Sequence, residues 1–240
     1  MAQNEVFAVG NAGTQLFDWT PTAKETAMRK FFRISALAAL ALGATALTAQ
    51  AQSQKTMGLV AGVDFSTMTG DWASEGSSAR TGFMGGLFVA FPVGSGNIAI
   101  EPELLYSMKG EKYDNADFKG TEAHDYIEIP VLFKWSSKPS GQGVYLLAGP
   151  AINFSVSCKD SGTDSEGTSY DEKCSDYPEV SVKSPISGVL GLGFSNGRFG
   201  IEGRYDFDLS DAICVDLPAE SGGSICGKNK VWAILLRFSK

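Results

Sequence analysis

Between residues 57 and 238, apolar and polar side chains alternate with a period of two, the mark of strands whose two faces meet different surroundings. The pattern predicts eight strands, at about 57–67, 81–92, 97–109, 126–136, 143–157, 186–195, 198–209 and 229–238. In the third, Ile98, Ile100, Pro102, Leu104, Tyr106 and Met108 share one phase, and Glu101, Glu103 and Lys109 the other. In the fourth, Ile127, Ile129, Val131, Phe133 and Trp135 oppose Glu128 and Lys134. In the seventh, Phe199, Ile201, Tyr205, Phe207 and Leu209 oppose Glu202, Arg204, Asp206 and Asp208. In the eighth, Trp232, Ile234, Leu236 and Phe238 oppose Arg237, and Asp64 belongs to the polar phase of the first strand.

The connections alternate too. Long polar stretches at 68–80, 110–125, 158–185 and 210–228 follow the odd strands, and short turns at 94–96, 137–142 and 195–197 follow the even ones. That alternation predicts an all-β, eight-stranded antiparallel up-and-down transmembrane barrel, with short periplasmic turns and long extracellular loops. An even strand count leaves both termini in the periplasm. A lipid-facing Arg or Lys at mid-bilayer costs about 2–4 kcal/mol, so the apolar phase faces lipid. Asp64, Glu101, Glu103, Lys109, Glu128, Lys134, Glu202, Arg204, Asp206, Asp208 and Arg237 then face the lumen. Eight strands enclose a bore only wide enough for side chains, so these charges are expected to pair and plug it. Glu128 is expected beside Glu101 or Glu103, with Arg204 and Arg237 compensating.

Aromatics test the same picture. Phe91, Trp135, Phe194, Phe199 and Phe238 fall at strand ends next to the short turns or the C-terminus. Phe65, Phe83, Tyr106, Phe154, Phe207 and Trp232 fall at ends next to the long loops, which predicts two interfacial girdles. Gly58, Gly62, Gly82, Gly86, Gly191 and Gly193 lie on the inward phase, where a narrow barrel has little room. Pro102, Pro130 and Pro150 cannot donate to a ladder, and a bulge or missing bond is expected at each.

Upstream, Arg29, Lys30 and Arg33 precede an uncharged Ala/Leu-rich run at 34–47 and the small-x-small sequence Ala49-Gln50-Ala51. This reads as a signal peptide over 28–51, cleaved between Ala51 and Gln52. Fourteen helical residues span only about 21 Å, short of a roughly 30 Å hydrocarbon core. Residues 1–27 read as a start-site extension outside the fold, and 52–240 as the barrel domain. A net charge of −7 from 20 basic and 27 acidic residues excludes a nucleic-acid partner.

Four cysteines allow three pairings, of which the loop-local one, Cys158 with Cys174 and Cys214 with Cys226, is simplest in an oxidising periplasm. No C-x-x-C pair or calcium-loop spacing is present, so no metal or cofactor is expected. The acidic loop 158–185 reads as solvated, or bridged to lipopolysaccharide by divalent cations. His124 reads as a loop residue without a neighbouring Ser or Cys, and no enzyme is expected.

The runs Ile100-Glu101-Pro102-Glu103-Leu104-Leu105-Tyr106-Ser107, Tyr126-Ile127-Glu128-Ile129-Pro130 and Leu147-Ala148-Gly149-Pro150 resemble the bacterial outer-membrane β-barrel domain family. So do Gly203-Arg204-Tyr205 and a last strand ending in Arg237-Phe238. Members are often termed porin family or PorT-like and are abundant in Bacteroidetes-type bacteria. The resemblance implies an eight-stranded barrel in a Gram-negative outer membrane. It also implies that Phe238, followed here by Ser239 and Lys240, is the signal read by the barrel assembly machinery. The expected role is structural or interactive, in adhesion or the envelope, with lipid and lipopolysaccharide as neighbours and an unknown surface partner. The alternatives are a small channel or secretion-system accessory, and a soluble lipocalin-like barrel, which would need an apolar interior.

Overall fold

Residues 55–71, 76–115, 118–217 and 222–240 are described in the computed structural model. The signal peptide, the extension at 1–27 and the Ala51–Gln52 junction lie outside the described residues. Alternation turns into strands where predicted: β1 (Thr56–Gly70), β2 (Ser78–Val93), β3 (Ile98–Asp114), β4 (Phe118–Ser136) and β5 (Gly143–Asp164) come first. Then follow β6 (Ser169–Lys173), β7 (Val180–Val182), β8 (Ile186–Ser195), β9 (Phe199–Asp208), β10 (Ile213–Asp216) and β11 (Ser224–Ser239). Eight of them close a ring in the order β1-β2-β3-β4-β5-β8-β9-β11, and β11 returns to β1 through thirteen register pairs from Gly58↔Ser239 to Gly70↔Gly227. Every neighbouring pair in the ring is antiparallel.

Strands outrun their predicted ends on the long-loop side. β3 and β4 stay paired as far as Asp114↔Lys119, so most of the loop expected at 110–125 is strand. β5 continues to Asp164, with β6 folded back on it, and the 210–228 stretch contains β10 and the start of β11. There both faces are polar, so the alternation that marks a membrane strand vanishes, yet the backbone groups still gain by pairing.

The two faces sort as the pattern requires. Trp232 and Leu236, 62% and 66% exposed, head an apolar outer face, while the charged phase is buried inside. The interior also holds two apolar clusters, one around Met84, Phe88, Leu105 and Leu235, the other around Leu132, Tyr145 and Leu147. Inward glycines make room for them: a Cβ on Gly193 would lie 2.2 Å from the Tyr145 ring, and one on Gly58 2.6 Å from that of Phe88.

Phe199 packs tilted against Phe238 at 5.2 Å at the short-turn end, and Tyr205 against Trp232 at 4.4 Å on the loop side. The loop-side girdle is not at the strand ends, however, since β5 runs ten residues past Phe154. Each proline interrupts one ladder without shifting register. Pairs resume across Phe88/Phe91 beside Pro102, Pro102/Leu105 beside Pro130, and Pro130/Phe133 beside Pro150.

Candidate functional site

Alternate residues of β3, β9 and β11 project into the ring at one level, and there Glu101, Glu103, Glu202, Arg204 and Arg237 meet Lys134 from β4. Arg204 Nη1 and Nη2 donate to Glu103 Oε2 and Oε1 at 2.7 and 3.1 Å, a bidentate pair, and Nε donates to Glu202 Oε1 at 2.8 Å. Arg237 Nη2 donates to Glu101 Oε1 at 2.6 Å, and Nη1 to Glu202 Oε2 at 2.8 Å and Glu103 Oε1 at 3.1 Å. Lys134 Nζ holds Glu101 Oε2 at 3.1 Å, and the Tyr145 hydroxyl donates to Glu202 Oε2 at 3.0 Å. All six carboxylate oxygens are thus bonded, and three anions face three cations. The Arg237 guanidinium lies 4.0 Å over the Phe88 ring and Lys134 Nζ 4.2 Å over that of Tyr145, which walls the cluster with aromatic faces. Chemically this is a charge-balanced, fully hydrogen-bonded plug across the bore.

Glu128 does not join it. The register sets Glu128 opposite Leu105, and its partner is Lys109, Nζ to Oε2 at 2.8 Å. Lys109 also donates to Asn153 Oδ1 at 2.9 Å, and Asp208 accepts from Ser187 Oγ and from the backbone and side chain of Asn229. Asp64 and Asp206 are buried in this second, carboxylate-rich layer, where the oxygens of Asp206 make no hydrogen bond to the described residues. Tyr145, Asn153 and Asn229 were not foreseen; the inward phase of β5, set by outward Val144 and Leu146, is the signal that marks Tyr145.

Beyond the girdle a cavity of about 670 Å³ opens among the loop-side strands. Five carboxylates, Asp71, Glu122, Asp160, Asp164 and Glu172, line it with the rings of Tyr113, Tyr170, Tyr177 and Phe118. The Tyr113 hydroxyl donates to Asp160 Oδ1 at 2.5 Å and meets the Tyr170 hydroxyl. Burial pushes Asp160 above the usual carboxylate range, helped by the nearby charges of Glu122 and Glu172 and opposed by the Tyr113 bond. Burial likewise raises Tyr113.

His124 is not a loop residue. It lies in β4, wholly buried, and the ladder brings it opposite Cys158, whose Sγ is 3.5 Å from His124 Nε2. Its Nε2 donates to Glu122 Oε1 at 2.7 Å. Cys158 is bonded to Cys174 and Cys214 to Cys226, the loop-local pairing; the second pair are direct cross-strand neighbours of β10 and β11. Phe238 faces outward near the end of β11.

A family model described as "Outer membrane protein beta-barrel domain" matches residues 49–213. No curated protein matches the chain significantly. Solved structures that resemble it include Ail, the attachment invasion locus protein of Yersinia pestis, in complex with a heparin analogue. It shares 13% identity at a TM-score of 0.44, over 78% of this chain and 100% of that one. Neisserial surface protein A shares 8% at 0.43, over 78% and 99%. The outer membrane protein OprG from Pseudomonas aeruginosa shares 10% at 0.40, over 80% and 98%.

Proposed function

We propose, for a chain that belongs to the outer membrane protein β-barrel domain family, that the barrel conducts nothing and serves as a rigid mount for its loop-side surface. The Gram-negative outer membrane is where such a domain resides. The observation that carries the reading is the plug. Glu101, Glu103, Glu202, Arg204 and Arg237 are at most 4% exposed and mutually saturated, so an ion entering the lumen would have to break several charge-assisted bonds in a low dielectric. The features that can meet a partner are then the loop-side segments tied by Cys158–Cys174 and Cys214–Cys226, and the acidic, tyrosine-lined cavity bordered by β3, β4, β5, β6 and the start of β11. Adhesion or envelope organisation is the function this supports.

In the same reading the short turns and both termini face the periplasm, the cavity faces outward, and the apolar band contacts lipid and lipopolysaccharide. Residues 28–51 serve export, with cleavage between Ala51 and Gln52, and Phe238 is the recognition point for the assembly machinery. Planar-bilayer recording of the purified, folded chain tests the central claim. No steady openings are expected; a defined, reproducible conductance overturns it in favour of a small channel.

A further inference from the structure

Three side chains with metal-binding atoms converge where β4, β5 and β6 meet. The β4–β5 ladder sets His124 directly opposite Cys158 and leaves Glu122 two residues along the same face. The β5–β6 ladder pairs Lys159↔Lys173 through Thr163↔Ser169, and so holds Cys174 beside Cys158 by backbone bonds that do not depend on the disulfide. The ligand atoms of His124, Cys158 and Cys174 lie within 4.8 Å of one another. A tetrahedral zinc, with Zn–S about 2.3 Å and Zn–N about 2.0 Å, separates its ligands by about 3.3–3.8 Å, within reach of side-chain rotation alone.

His124 is already aimed. Nε2 points at the sulfur and at Glu122 Oε1, while Nδ1 lies 3.4 Å from the Tyr126 hydroxyl, where a partner fixes the tautomer of a metal-bound imidazole. A surface cavity of about 560 Å³ is lined by both cysteines and gives a reductant and an ion access to them.

We infer that reduction of Cys158–Cys174 converts this corner into a site for a zinc-class divalent ion, held by both thiolates, His124 Nε2 and a Glu122 oxygen. The inference is independent of the proposed function. Two equivalents of an external thiol reduce the bond, giving two protein thiols and one disulfide of the reductant. The ion then binds the two sulfurs as thiolates and two protons leave, while the proton His124 shares with Glu122 through Nε2 passes to Nδ1, beside the Tyr126 hydroxyl, and frees Nε2 for the metal. The loop is tied in either state, by a covalent bond or by a metal. Asp211, Cys214 and Cys226 also cluster, but there the Lys183 ammonium sits 3.0 Å from Cys214 Sγ and would repel a cation.

The test is cobalt titration of the folded full chain in detergent, oxidised and after reduction, with folding followed by the mobility of the unboiled protein. The reduced chain should take up a single cobalt with sulfur-to-cobalt charge-transfer and tetrahedral d–d bands, which zinc displaces, and the oxidised chain none. The Cys214→Ser/Cys226→Ser variant should keep the signal, Cys158→Ser/Cys174→Ser should lose it, and His124→Gln should weaken binding at least about tenfold. A reduced chain that stays folded without binding overturns the proposal. So do a signal that survives in Cys158→Ser/Cys174→Ser, indifference to His124→Gln, or loss of the fold on reduction.

Discussion

Arg204 holds three carboxylate oxygens at once, both of Glu103 and one of Glu202, at a position 1% exposed. Removing one member of a buried ion network leaves charge stranded, so Arg204→Met should destabilise the barrel by about 3–5 kcal/mol. Urea unfolding in lipid vesicles reads this out, and adding Glu103→Gln should recover part of the loss, because the two residues act as a unit. The charge sorting that puts Arg204 inside is visible in the sequence, since a period of two leaves it opposite Ile201 and Tyr205. Its partners are not. Glu128 was expected there and pairs instead with Lys109, because a one-dimensional pattern gives a residue its face but not its height in a tilted ring. His124 is the same lesson at larger cost: no neighbour in the chain hints at Cys158, 34 residues away, which the ladder sets directly opposite.

Among the elements, β11 shows the membrane boundary most clearly. Ile234 lies between the girdle residues Trp232 and Phe238 on the outer face, whereas Lys230 lies just beyond Trp232. Ile234→Arg should therefore cost about 2–4 kcal/mol in the same unfolding assay. Lys230→Ala should stay within about 0.5 kcal/mol, as exposed surface changes usually do. Strand identity was readable because lipid on one side and charge on the other enforce alternation. Strand ends on the loop side were not, because beyond the girdle the inner face is polar like the outer one, so the apolar alternation stops while backbone pairing carries β3, β4 and β5 on. The prolines acted as foreseen at the level of the ladder: Pro102, Pro130 and Pro150 each interrupt pairing on one side while the register carries through.

For the whole molecule, closure is what matters. Thirteen register pairs join the first strand to the last, so the ring has no free edge and unfolds only as a unit. Such a barrel should resist detergent without heat: unboiled protein from the membrane fraction should migrate differently from boiled protein, and equal mobility would contradict the closed ring. Reductant alone should leave the shift in place, since both disulfides lie in the loop-side strands rather than between the two ends of the ring. The sequence by itself determined the eight strands of the ring, the face each of their side chains takes and hence the membrane setting, because lipid tolerates only one sorting of charge. Tertiary structure alone decided which charges meet, how far the strands reach past the girdle, and that Cys158 and His124 share a corner. Those outcomes depend on register and tilt, which are set by all eight strands closing together and are written in no single stretch of the chain.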